Sequence, residues 1–147
     1  MSTFTIKKGS HRARPLRFGL YLSKKRIAFK VMFDSSCKYD IGEDQEDCNK
    51  LFGIGYFPNH HKESARFGWR YNENTNLIEL LSYCYVDGKR VIEYITSIQF
   101  NRWILLSISI EKGRYIFGAK KDEFETIFQT NHYHNKKIGY RLNPYFG

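Results

Sequence analysis

Apolar side chains recur in this chain at every second position, and that period restricts the fold more than any other feature. Ile27, Phe29, Val31 and Phe33 alternate with Ala28, Lys30 and Met32. Ala65, Phe67, Trp69 and Tyr71 alternate with Ser64, Arg66, Gly68 and Arg70. Ile104, Leu106, Ile108 and Ile110 alternate with Trp103, Leu105, Ser107 and Ser109. Successive side chains of a strand point to opposite faces, so each run carries one core face and one outward face. The pattern predicts strands near 3–8, 16–22, 26–34, 64–72, 77–86, 89–100, 103–111, 114–120 and 138–143.

The turn residues agree with that reading. Asp87-Gly88 separates LIELLSYCYV from KRVIEYITSI, the two-residue hairpin signal whose positive φ Asp and Gly meet at low cost. Asn72-Glu-Asn-Thr-Asn76 reads as a polar hairpin loop and Lys112-Gly113 as another turn. The five segments from 64 to 120 then form a meander. The stretches 35–63 and 121–137 read as long loops, with 121–128 the best place for a helical turn. So many short strands favour an all-β fold, a two-sheet antiparallel sandwich, because a single sheet would leave apolar faces in water. No repeat, low-complexity run or linker divides the chain, so 1–147 is expected to be one domain.

Composition narrows the function classes. The 147 residues include 25 Phe, Trp and Tyr, 17% of the chain, far more than a disordered chain carries. The most apolar stretch, 103–110, is too short to span a membrane, and no membrane partner is expected. The opening MSTFTIKKGSHRARP has no apolar core of a secretory signal, so the chain is expected in the cytoplasm or assembled into a particle. Lys plus Arg is 24 against 15 Asp plus Glu, a net charge of +9. Residues 1–30 hold nine basic side chains and no acid, while Asp34, Asp40, Glu43, Asp44, Glu46 and Asp47 crowd into 34–47. Solvated strand faces, a contact within the fold, or an acidic partner all fit this split. Cys37, Cys48 and Cys84 show no C-x-x-C spacing and read as free thiols, Cys84 buried in a strand.

The stretch HHKESARFGWRYNENTNLIELLSYCYVDGKR at 60–90, with YRLNPYFG at 140–147 and TFTIKKGSH at 3–11, resembles a group of small, uncharacterised β-sandwich proteins of Bacteroidetes and their phages or mobile elements. The resemblance implies a concanavalin-like jelly roll. It carries no catalytic signature and transfers no site residue. Chains of that group are expected to run on past the PYFG position into another strand. The sheet edge beside 138–147 would then be covered by the acidic loop, by segment 3–8 or by a partner chain.

Several constellations can carry chemistry. His60-His61-Lys62-Glu63 could serve acid–base work or a metal, but neighbouring strand residues face opposite ways and the helical H-E-x-x-H spacing is missing. His132 and His134 would share a face of an extended segment, with no third ligand at a zinc-like spacing. The run DIGEDQED at 40–47 lacks a calcium-loop pattern. Gly53-Ile-Gly55 reads as a tight turn rather than a phosphate cradle. No metal site and no cofactor is expected, and no catalytic residue is assigned. The outward set is the more informative one. Arg66 and Arg70 share a strand face, while Tyr56, Phe57, Trp103, Tyr133 and Tyr145 lie in loops or at strand edges. Rings beside Arg suit sugars, whose C–H faces stack on aromatics. Arg66, Arg70, Trp103 and Tyr133 are therefore the candidate ligand-binding residues.

The expected function is a non-enzymatic recognition or assembly module, binding glycan or protein through a sheet face and its loops. A structural component of a phage or mobile-element particle, a homo-oligomer in that case, is the second expectation. A polysaccharide-active enzyme ranks third, because no paired carboxylates share a strand face. Nucleic-acid binding, resting on charge alone, is expected to be weak and non-specific.

Overall fold

A computed structural model describes residues 3–23, 25–130 and 136–147. The strands in chain order are β1 (Leu20–Leu22), β2 (Arg26–Val31), β3 (Asn49–Tyr56), β4 (Glu63–Asn72), β5 (Leu77–Val86), β6 (Lys89–Ile98), β7 (Ile104–Glu111), β8 (Arg114–Lys121), β9 (Phe124–Gln129) and β10 (Ile138–Leu142). They form a six-stranded sheet, β1-β10-β3-β4-β5-β6, and a four-stranded sheet, β2-β7-β8-β9, with antiparallel pairing throughout. The two sheets face each other as a β-sandwich. No helix among the described residues is long and apolar enough to cross a membrane.

The alternating residues behave as their period requires. Phe67, Trp69 and Leu80 of the larger sheet and Leu106, Ile108 and Phe117 of the smaller one are buried between the layers. Across the interface the rings of Phe67 and Phe117 meet edge to face, their centroids 5.0 Å apart. One polar pair is enclosed with them. The Tyr115 hydroxyl donates to Oε1 of buried Glu63 at 2.5 Å. The Asp87–Gly88 turn forms as expected, with φ of 50° and 79°. All three cysteines are free, and Cys48 and Cys84 are buried.

Four expectations need correction. The loop assigned to 35–63 contains β3, and Gly53-Ile-Gly55 lies within that strand instead of in a turn. The helical turn at 121–128 is instead the hairpin of β8 and β9, turning at Asp122 with φ of 52°. The five-strand meander is split. Strands β4, β5 and β6 stay in the larger sheet, while residues 99–103 cross over to β7 in the smaller one. Finally, β10 is not an edge. It pairs with β3 on one side and with β1 on the other. The segment that closes this side is therefore 20–22, whereas 3–8 makes only an isolated bridge, Thr5 to Arg14.

Candidate functional site

The outward face of the larger sheet carries the site. Antiparallel partners point to the same face, so the register places Tyr140, Gly55, Ser64 and Tyr85 in one outward row. Leu142, Gly53, Arg66 and Tyr83 form the next row. A Cβ on Gly53 would run into the main chain and Cβ of Arg66, and one on Gly55 would lie 2.8 Å from the Cβ of His60. The two glycines thus keep β3 low, and a groove forms over it. The chain segments 12–16 and 142–145 make one wall, and the groove has a volume of about 450 Å³.

Its lining is basic and aromatic. Arg12, Lys50, His60, His61 and Arg66 supply the charge, and Tyr83, Tyr85 and Tyr145 supply the rings. No acidic side chain lines it among the described residues. Arg66, only 8% exposed, forms the floor. Its Nε and one terminal nitrogen donate to the Leu51 carbonyl at 3.2 and 2.9 Å, and that nitrogen also donates to the Asn143 carbonyl at 2.5 Å. These partners are dipoles, not anions. Burial pushes the guanidinium down from 12.5 to about 10, because desolvation disfavours the charged form.

Lys50 reaches over the rings of Tyr83 and Tyr145, 5.1 and 5.6 Å from their centroids, and donates to the main-chain oxygen of Gly147. Burial lowers its pKa, while Asp47 is among the groups that pull it back up. His11 stacks on Tyr145 with centroids 5.5 Å apart, and its Nδ1 donates to the Phe146 carbonyl at 2.7 Å. His60 Nδ1 lies 3.2 Å from the Tyr140 hydroxyl. Burial first, then His61 and Arg66, hold the His60 pKa below its ordinary 6.5. The Tyr83 hydroxyl is pushed up to about 12, first by burial and then by Tyr85.

The four candidate binding residues are not brought together. Arg66 is in the groove. Arg70 shares its sheet face but is neutralised by Glu79 at 2.6 Å and by Glu46 of the acidic loop. That loop therefore meets β4. Trp103 is exposed in the crossover between the sheets and does not line the groove. Tyr133, with His132 and His134, lies outside the described residues. Among the other aromatic candidates, Tyr145 lines the groove, and Phe57 is exposed against Tyr140 with centroids 5.2 Å apart. Tyr56 is corrected: it sits in the core at the end of β3, where burial raises its pKa.

Sequence reasoning missed Arg12, Lys50, Tyr83 and Tyr85 as site residues. The tyrosines were hidden in the apolar run LLSYCYV, where period two does put Tyr83 and Tyr85 on the Arg66 face. Among the described residues no group of three His, Cys, Asp or Glu side chains is placed to hold a metal ion. No family model, curated protein or solved structure matches the chain.

Proposed function

We propose that this β-sandwich is a recognition module whose sheet-face groove binds an acidic saccharide. The observation that carries the reading is the enclosed guanidinium of Arg66, bonded among the described residues to carbonyl dipoles, in a groove that none of their acidic side chains lines. A buried cation without a counter-ion is costly, and a carboxylate brought by a ligand removes that cost. Burial lowers the Arg66 pKa from 12.5 to about 10, the direction expected of a cation short of a counter-ion. Tyr85, beside Tyr83 in the groove lining, supplies an aromatic surface for the C–H side of a sugar ring. The concanavalin-like jelly roll belongs to this proposal too, and rests on the resemblance of 60–90 and 140–147.

The second reading is an enzyme acting on an acidic polysaccharide, favoured by the His60–Tyr140 contact beside the cations. There a neutral imidazole would take the proton from the carbon next to a cation-bound carboxylate. The glycosidic C–O bond at the following carbon would break to leave a C=C bond, and the leaving oxygen would take a proton from the Tyr140 hydroxyl or water. Calorimetric titration with oligomers of galacturonic acid tests both readings. Saturable binding without consumption, weakened about tenfold by Lys50→Met, supports recognition. Appearance of an unsaturated sugar product moves the protein to the second reading. No binding heat at any pH removes both.

A further inference from the structure

Strand β1 is the outermost strand of the larger sheet, and its main chain is half used. Arg141 N–H donates to the Gly19 carbonyl and Ser23 N–H to the Lys137 carbonyl, both at 2.8 Å. Main-chain groups of an antiparallel strand alternate in direction. Residues 19, 21 and 23 thus bond to β10, and Leu20 and Leu22 turn their N–H and C=O groups to the open side. No main-chain partner meets them there among the described residues.

The side chains along this edge are apolar and wet. Leu22 is 70% exposed and Phe18 is 98% exposed. Leu20 pairs in register with Tyr140 and Leu22 with Ile138, so the strip continues onto β10. Phe57, packed on Tyr140, extends it further. An open edge with apolar side chains is a hazard that folded proteins normally blunt. Here nothing among the described residues covers it, and it is framed by cations. Segments 3–33 and 136–147 contain no acidic residue, and Arg17, bonded to Asn143 just past β10, and Lys137, bonded to Ser23, flank the strip.

We propose that the β1 edge is a docking site for an extended, acidic-flanked segment of another protein, which adds to the larger sheet as a seventh strand. Strand addition takes affinity from main-chain hydrogen bonds and specificity from alternate side chains. Leu20 and Leu22 set the spacing for two apolar side chains of the partner. The surrounding charge selects acid at its ends. A second copy of this chain is the wrong occupant. Antiparallel pairing of two β1 edges would set two strips of like charge side by side, with no acidic residue in 3–33 or 136–147 of either copy to offset them. The chain's own acidic loop is also engaged, since Gly42–Glu46 is a 3₁₀ turn and Gln45 bonds to the Tyr39 and Tyr71 carbonyls.

The proposal is independent of the groove and its ligand. The probe is a labelled peptide of alternating Leu and Thr with Glu at both ends, followed by fluorescence anisotropy. The expected result is saturable binding that weakens with salt and falls about tenfold in Leu22→Pro, which removes one N–H on the open side. Leu20→Glu, an exposed change that leaves the main chain intact, should weaken the Glu-ended peptide as well. Absence of binding overturns the proposal, as does equal binding of a Lys-ended peptide. Capture by vesicles of anionic phospholipid in place of the peptide overturns it too. So does self-association in sedimentation velocity that Leu22→Pro abolishes.

Discussion

Leu106→Ala is the sharpest test of how the two sheets meet. Leu106 is fully enclosed on the inward side of β7, opposite Phe29 on β2 and Ala119 on β8. Truncation of a buried leucine costs about 2–5 kcal/mol, and the value rises with the cavity that survives. Ala119 is too small to fill the space, and Phe29 is held edge to face by Phe52 and Phe67, at 5.4 and 6.2 Å. The site therefore collapses poorly, and the loss should lie above the middle of that range, about 3.5–4.5 kcal/mol. For a chain of this length that lowers the melting temperature by about 10 °C. Leu105→Ala, one residue along on the half-buried outward side beside Lys120, should cost less than about 1 kcal/mol. Urea unfolding monitored by circular dichroism gives both numbers. Equal losses at 105 and 106, or a loss below about 1 kcal/mol at 106, would refute the face assignment of β7 and the packing built on it.

Other consequences are as direct. Tyr115→Phe removes a donor to the buried Glu63 carboxyl and should cost about 1.5–3 kcal/mol in the same unfolding experiment. Gly68→Ala puts a Cβ onto the Cys48 sulfur; it should destabilise the fold, and Cys48→Ala in the same chain should restore most of the loss. Burial raises the Cys37 and Cys48 thiols from 9.0 to about 11. Between those values the folded chain keeps protons that the unfolded chain releases, so stability should fall as pH rises from 9.0 toward 11, and a thiol reagent at neutral pH should label Cys48 and Cys84 only after unfolding. Because burial keeps the His60 pKa below 6.5, its positive charge arrives only in acid. Affinity for an acidic oligosaccharide should rise as the pH is lowered through that range, and a flat or inverted profile in calorimetry would remove His60 from the site.

Much of the fold was legible because it depends on local period. The runs at 64–72 and 103–111 name their core face without reference to any partner, and the structure buries Phe67, Trp69, Leu106 and Ile108. Strand β3 was not legible because its signal is broken twice. Gly53 and Gly55 replace outward side chains, and the register shifts between Lys50 and Gly53. The pattern of 121–128 was ambiguous, since Phe124, Ile127 and Phe128 also fit a helical spacing, and pairing with β8 decides it. The change of sheet after β6 leaves no local mark, because a crossover and a hairpin can use the same turn residues. The groove is less legible still. Arg12, Lys50, Arg66 and Tyr145 meet only through the strand order. An arginine in an alternating strand reads as exposed, whereas two main-chain carbonyls enclose Arg66.

Amide and arginine side-chain NMR spectra during titration with an oligomer of galacturonic acid test the central claim most directly, with a neutral galactose oligomer as the paired control. The acidic oligomer should shift the Arg66 side-chain signal and the amides of Lys50, Tyr83, Tyr85 and Tyr145, and leave Phe100 and Arg102 at the crossover unmoved. The neutral oligomer should shift none of these at the same concentration. Equal shifts from both oligomers, or shifts centred on Phe100 and Arg102 with Arg66 unchanged, would contradict an anion-binding groove on the face of the larger sheet.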